Sequence, residues 1–385
     1  LPMKHYTSGS CTKRKCDIGL MSFRIAGPLL FLAAFVFYLP ALNSGFLWDD
    51  YLWVVWNPVL KDWGGLARAW FNLFSHDTNY PLTVYPLTVT SFWLDYHVWQ
   101  LDPFGYHLTN ILLHAANTVL VALVLLRLKV PGALLAAAIF AWHPMQVESV
   151  VWISERKNVL SLFFYLLATL SYIRFYHLDG ALIHHTRRLR FYLWTFVFFL
   201  CSIFAKPTAA SFPFFALLLL WWKGKGLRRR DLLLLMPTLI VSFCIGLISL
   251  SLERISSGAQ GADFAYSFWD RVLIAGRAFW FYIGKFFWSR NLAFVYPRWE
   301  VDSVSPWYLI SFVFMAAGLW LFALRKMASI EKWKGVWVAI FFFGINLIPI
   351  SGFFNVAFFR YSFVANWWLY LPSLGLIALA AFVWH

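Results

Sequence analysis

The sequence predicts an all-α polytopic membrane protein, a bundle of about ten or eleven transmembrane helices. Three observations carry that prediction. Of 385 residues, 61% are hydrophobic and only 13% are charged, whereas soluble domains carry about 25% charged residues. Apolar runs of roughly 20 residues, enough to cross a bilayer, recur from one end to the other. Aromatic residues reach 21%, with 23 Trp, and Trp and Tyr collect at membrane interfaces. The spans are expected to be helical, because hydrocarbon leaves an open backbone unsatisfied.

Residues 1–23 read as a basic cytoplasmic tail containing Lys4, Lys13, Arg14 and Lys15, with Met3 or Met21 as the expected start. The first span, 24–43, is too long for the core of a signal peptide. A long outer loop, 44–104, follows. Loops above about 12–15 residues are usually functional or disordered, and the aromatic, apolar content of this one argues against disorder. Residues 66–74 space their apolar groups as an interfacial helix does. The direct repeat Tyr80 to Val84 and Tyr85 to Val89 is too short for a repeat architecture. Further spans are expected at 105–127, 131–150, 158–177, 190–206, 207–223, 231–252, 307–325, 334–350 and 366–384.

Orientation follows from the excess of Lys and Arg on the cytoplasmic side. Arg127 and Lys129 form one such cluster, and Arg174 with Arg187, Arg188 and Arg190 another. Lys223, Lys225 and Arg228 to Arg230 make a third, and Arg325, Lys326, Lys332 and Lys334 the last. The first seven spans alternate in register with these clusters. The last cluster fits only if 270–290, carrying Arg277 and Lys285, stays on the outer side as a re-entrant or interfacial helix. The net charge of +15 is accounted for by these clusters, so nucleic acid is not an expected partner. Cys11, Cys16, Cys201 and Cys244 have no metal-site context and are assigned no disulfide.

This topology places several polar groups on one extracytoplasmic face. Asp49 and Asp50 sit just past the first span in Gly45-Phe-Leu-Trp-Asp-Asp-Tyr51. An acid pair there suits proton abstraction at a lipid–water boundary, and equally suits a solvated loop. His143, Glu148, Glu155, Arg156 and Lys157 crowd the short hairpin between two spans. They read either as a self-paired cluster or as a cationic seat for phosphate, since Arg binds phosphate bidentately and Lys as a point charge. No second His stands at zinc spacing, so no metal is assigned. Lys206 precedes Pro207 on the side where the charge rule disfavours it. His107, Asn110 and His114 share one helical face and read as an interhelical polar seam. Arg277, Lys285, Arg298, Arg360 and Asn366 complete the outer polar set.

With these residues in view, the chain resembles the GT-C superfamily of membrane glycosyltransferases. Within it, the chain is most similar to the transmembrane O-mannosyltransferases that carry tetratricopeptide repeats (the TMTC group) and their bacterial relatives. The matching stretches are Trp48-Asp-Asp50, Tyr85-Pro-Leu-Thr88, Leu101-Asp-Pro-Phe-Gly-Tyr-His107, His143-Pro through Glu148, Trp152-Ile-Ser-Glu-Arg-Lys157, Lys206-Pro207 and Tyr370-Leu-Pro-Ser-Leu-Gly375. They cover nearly everything from residue 24, expected to be a GT-C-like catalytic domain over 24–385. The resemblance implies a polyprenyl- or dolichyl-phosphate sugar as donor, a mannose-like hexose transferred with inversion, and a hydroxyl acceptor on protein or glycan. It implies a catalytic role for Asp49 and Asp50. The growing charge on the leaving phosphate needs cations, for which Arg156, Lys157, Lys206 and Arg360 are the candidates. No further cofactor is expected. Relatives usually carry Asp where this chain has Asn366, and the repeat domain that normally follows is expected to be missing from this sequence. The implied location is a bacterial inner membrane, or the endoplasmic reticulum in a eukaryote.

A transporter or flippase of a lipid-linked sugar is the main rival. Such proteins favour matched halves and broken helices with polar groups at mid-membrane, and here the charges lie mostly at span ends. A non-catalytic membrane scaffold is the second rival. It would tolerate loss of both Asp49 and Asp50.

Overall fold

Local chemistry fixes where the helices begin and end. The computed structural model describes residues 9–71, 85–180, 185–255, 257–301, 318 and 331–384. We number its helices α1 Gly9–Phe37, α2 Trp63–Phe71, α3 Pro86–Trp99, α4 Pro103–Arg127, α5 Ala133–Trp142, α6 Val147–Val151 and α7 Arg156–Tyr176. The remainder are α8 His185–Ala205, α9 Phe212–Trp222, α10 Arg229–Ile255, α11 Phe268–Phe287, α12 Glu331–Leu347 and α13 Ser373–Trp384. No strand occurs among the described residues. At α4, Asp102 accepts a hydrogen bond from Phe104 N at 3.0 Å and Pro103 takes the first position. That is a side-chain cap followed by a residue that needs no donor. Ser267 and Asp270 form a reciprocal capping box at the start of α11.

Six described helices are long and apolar enough to cross a membrane, or seven if the bent pair α5–α6 is one span. The chain is an all-α polytopic membrane protein. The expected span 131–150 is bent by 58° between α5 and the 144–151 segment. Pro144 causes the break: it removes an N–H and holds His143 extended, at φ −65° and ψ 130°. The span expected at 366–384 is likewise not one helix. Residues 366–369 form a 3-10 turn, and α13 begins only at Ser373. The 270–290 run is α11, which is not among the helices apolar enough to cross. The interfacial helix expected at 66–74 begins earlier, as α2, and its last residues lie outside the described part. So do the 307–325 span and the Arg325 and Lys326 cluster. Helix α1 starts at Gly9, so the end of the basic tail continues the first span. A second helix of the long loop, α3, occupies its end, where no helix had been placed.

The core lies where α4, α7, α8 and α13 pack together. Close approach is possible because small residues meet backbone. A Cβ at Gly375 of α13 would lie 2.4 Å from Ala339 O of α12. Buried polar groups tie the helices across this core. Asn110 donates to Val150 O and Trp152 O, both at 3.2 Å. The two ring nitrogens of His114 meet Tyr370 Oη at 2.8 Å and Ala141 O at 3.1 Å. Asn110 and His114 are therefore the interhelical seam their spacing suggested. His107, on the same face, is buried beside the backbone of Ser44, Gly45 and Val151.

Candidate functional site

The first loop is fastened to the turn between α6 and α7 by two hydrogen bonds, and a third within the loop braces it. Asp50, only 1% exposed, accepts from Leu47 N at 2.9 Å and from Ser154 N at 2.7 Å, one through each carboxylate oxygen. Trp152 Nε1 donates to Leu47 O at 3.2 Å. The turn requires Trp48 at φ 44°, a left-handed conformation uncommon outside Gly. Its indole stacks on Trp152, with ring centres 6.1 Å apart and planes 16° apart.

This clamp separates the two acids. Both oxygens of Asp50 are occupied by backbone donors. Asp49 points elsewhere, half-buried, within the electrostatic reach of Lys157 and Glu155. Burial raises the pKa of Asp49 above 3.8, Lys157 pulls it back and Glu155 pushes it up. Burial raises Asp50 to about 6, against the lowering effect of its hydrogen bonds to Leu47 and Ser154.

Beyond Asp49 lies a chain of charged groups from three elements. Lys157 Nζ is 2.9 Å from Glu155 Oε1, and Lys206 Nζ is 3.6 Å from Glu155 Oε2. Lys206 also donates to Asn158 Oδ1 at 2.5 Å. Asn158 is held by Trp367 O at 2.9 Å. Lys157 lies 5.4 Å over the ring of Trp53, whose edge meets Tyr85 at 5.6 Å. Tyr85 and Glu253 both feel the charge of Lys157, and Glu253 accepts from Ala357 N at 2.9 Å. Asp49, Tyr85, Glu155, Lys157, Lys206 and Glu253 thus form one polar cluster at one end of the bundle. Two ammonium groups with three donors each lie in it beside a carboxylate whose proton affinity burial has increased.

Other residues from the sequence are placed differently. Arg156 is turned away from this cluster. Its guanidinium is fully buried, 2.8 Å from Asp95 Oδ2, donating to Tyr106 O at 2.8 Å and to Asn110 Oδ1, and lying 5.0 Å over Phe92. Arg360 is not in the cluster either. It reaches Asp263 at 4.0 Å and Gly258 O at 3.2 Å, alongside Arg298, which donates to Asp263 O and Tyr266 Oη. Lys285 donates to Arg290 O and Asn291 O, and Arg277 lies over Trp299. His143 is taken up by backbone: Nε2 meets Phe286 O at 2.9 Å and Nδ1 accepts from Met145 N. Glu148 and Asn366 pair at 2.7 Å, and Tyr296 Oη donates to Asn366 Oδ1 at 2.8 Å. This second polar group adjoins the cluster through Trp367. Among the described residues no three His, Cys, Asp or Glu side chains gather closely enough to hold a metal ion.

Sequence reasoning missed Tyr85, Asn158 and Glu253. A signal for Glu253 existed: an acid in the last turn of a helix opposes the helix dipole and needs a reason to be there. Tyr85 and Asn158 were visible as members of motifs, without a role.

The chain is similar to curated proteins of one group. It is 41% identical over 152 residues to the protein O-mannosyl-transferase Tmtc1 of Drosophila melanogaster, a match covering 37% of this chain and 17% of that protein. To TMTC3 of Homo sapiens it is 33% identical over 152 residues, 38% of this chain and 16% of the relative. To TMTC4 of Homo sapiens it is 25% identical over 411 residues, 91% of this chain and 54% of the relative. The chain thus spans about half of the TMTC4 relative, and less than a fifth of the other two is matched. No family model matches the chain, and no solved structure matches it.

Proposed function

We propose that this chain is the membrane-embedded catalytic part of a GT-C-type O-mannosyltransferase. It would move mannose from a polyprenyl- or dolichyl-phosphate donor to a protein Ser or Thr hydroxyl on the extracytoplasmic face. The observation that carries this reading is the electrostatic coupling of Asp49 to Lys157 and Glu155, with Glu155 ion-paired to both Lys157 and Lys206. The relatives' names supply the reaction class.

In this reading Asp49 accepts the proton of the acceptor hydroxyl. The freed oxygen bonds to the anomeric carbon as the carbon–oxygen bond to phosphate breaks, and the configuration inverts. The lipid phosphate leaves with the electron pair, and its growing charge is met by the Lys157 and Lys206 ammoniums. Fixed cations in a water-poor site are worth more than in solvent. Glu155 holds both lysines in place. Asp50 positions the loop. The phenol of Tyr85, which burial pushes up to about 12, stays protonated and is a donor for a sugar hydroxyl.

The test is transfer of labelled mannose from a synthetic polyprenyl-phosphate donor to a Ser/Thr peptide by the purified protein. Wild type should transfer, and Asp49→Asn should not although it folds. Equal turnover by both would reject the assignment and favour a scaffold. Movement of the intact lipid-linked sugar across a vesicle without transfer would favour the flippase.

A further inference from the structure

We propose that a cavity at the end of the bundle remote from Asp49 binds an anionic phospholipid. The cavity has a volume of about 430 Å³ and lies among α4, α7, α9, α12 and α13. That is within the size range of ligand sites. Leu125, Leu166, Leu219 and Phe342 give it an apolar wall. The described lining includes Lys129 and Lys223 and no Asp or Glu. Asp179, the acid in a neighbouring turn, is engaged by Arg127 at 3.3 Å and Arg174 at 3.2 Å.

Both lysines belong to the cavity lining. Lys223 donates to Leu128 O at 2.6 Å and lies 3.8 Å from the centre of the Trp222 ring. Lys129 follows α4 at φ 56°, in the tight turn that leads to α5. The exposed Lys225 and Arg228 to Arg230 continue the positive surface outward from Lys223. The site is separate from the reaction. Tyr106, near the start of α4, packs on Phe46 of the first loop. Arg127 ends the same helix, and 25 helical residues at 1.5 Å each place the two ends about 37 Å apart.

The chemistry selects the occupant. A hydrocarbon-lined space with cations at one end matches an amphiphile with a single anionic head. A free phosphate would leave the apolar wall unfilled. A zwitterionic lipid would bring its own cation to a positive rim. Basic pockets between membrane helices bind acidic headgroups for this reason.

The experiment uses the purified chain, stripped of lipid in a neutral detergent. Phosphatidylglycerol, phosphatidylcholine and inorganic phosphate are added separately. Bound lipid is counted by native mass spectrometry, and thermal unfolding is followed by Trp fluorescence. Phosphatidylglycerol should bind saturably and raise the melting temperature, and the other two should not. Ala378→Phe, which fills the cavity without touching either lysine, should weaken that binding at least tenfold. Lys129→Gln with Lys223→Gln should do the same, and if that pair fails to fold Ala378→Phe decides alone. Equal binding of the two phospholipids, equal protection by phosphate, or unchanged binding in Ala378→Phe would each overturn the proposal.

Discussion

Replacing Arg156 with Met tests whether the structure has sorted the cations correctly. Arg156 is among the largest fully buried side chains of the described residues, and its guanidinium meets Asp95, Tyr106 O, Asn110 and Phe92. Methionine keeps most of the length and none of the donors. The Asp95 carboxylate then loses its cation, keeping a hydrogen bond from Thr109 at 3.0 Å. Breaking a buried pair from one side costs about 3–5 kcal/mol. The unmatched Tyr106 and Asn110 oxygens fall within that range rather than adding to it, because such terms are not independent. Asp95→Leu in the same chain removes the stranded charge, and the double variant should recover more than half of the loss. The assay is thermal unfolding in detergent, followed by Trp fluorescence and size exclusion. Arg156→Met should be strongly destabilised, and its folded fraction should keep the wild-type KM for donor. A variant that unfolds like wild type and shows a raised donor KM would refute the argument and return Arg156 to the phosphate.

Further outcomes follow from the site. Asp49→Asn should leave the fold intact and lower transfer by about 10²–10⁴-fold, the usual worth of a general base. Asp50→Asn should instead lower stability by about 1–3 kcal/mol, because its amide faces a backbone donor, and calorimetry separates the two variants. Lys206→Met should raise the donor KM roughly 10–100-fold, as expected for a lost charge-assisted bond of about 1.5–3 kcal/mol, with the acceptor KM unchanged. The two acids give opposite pH trends. Asp49 must be ionised to act, so transfer should fall as pH drops through its folded pKa, which lies above 3.8. Asp50 rises from 3.8 to about 6 on folding, so the folded state binds its proton more tightly. Stability should therefore decline as pH rises from about 3.8 to 6, by about 3 kcal/mol. Melting temperatures across that window should show the slope, and Asp50→Asn should flatten it.

Much of the bundle was legible because hydropathy reports span length directly. Helices α4, α7 and α10 fall within a few residues of their expected bounds. Breaks were harder to read. The apolar run continues through Pro144, and composition alone cannot place the 58° kink found there. The polar seam at Asn110 and His114 was legible from helical spacing. The cations were not, because a one-dimensional pattern shows that Arg156 and Lys157 adjoin but not that they point to different partners. Arg156 turns back to Asp95 of α3, an element hidden in a loop, and Lys157 turns to Glu155 and Trp53. Asp49 and Asp50 divide for the same reason, since the backbone donor that fills Asp50 belongs to Ser154.

The Asp50–Ser154 clasp also constrains the order of biosynthesis. The acid leaves the ribosome with the first hairpin, whereas its partner turn, Lys206 and Glu253 arrive with successively later ones. A nascent chain arrested before α6 would leave Asp50 without its Ser154 donor and Asp49 without Lys157. Under the proposed function, transfer would begin only once several hairpins had been inserted and had docked.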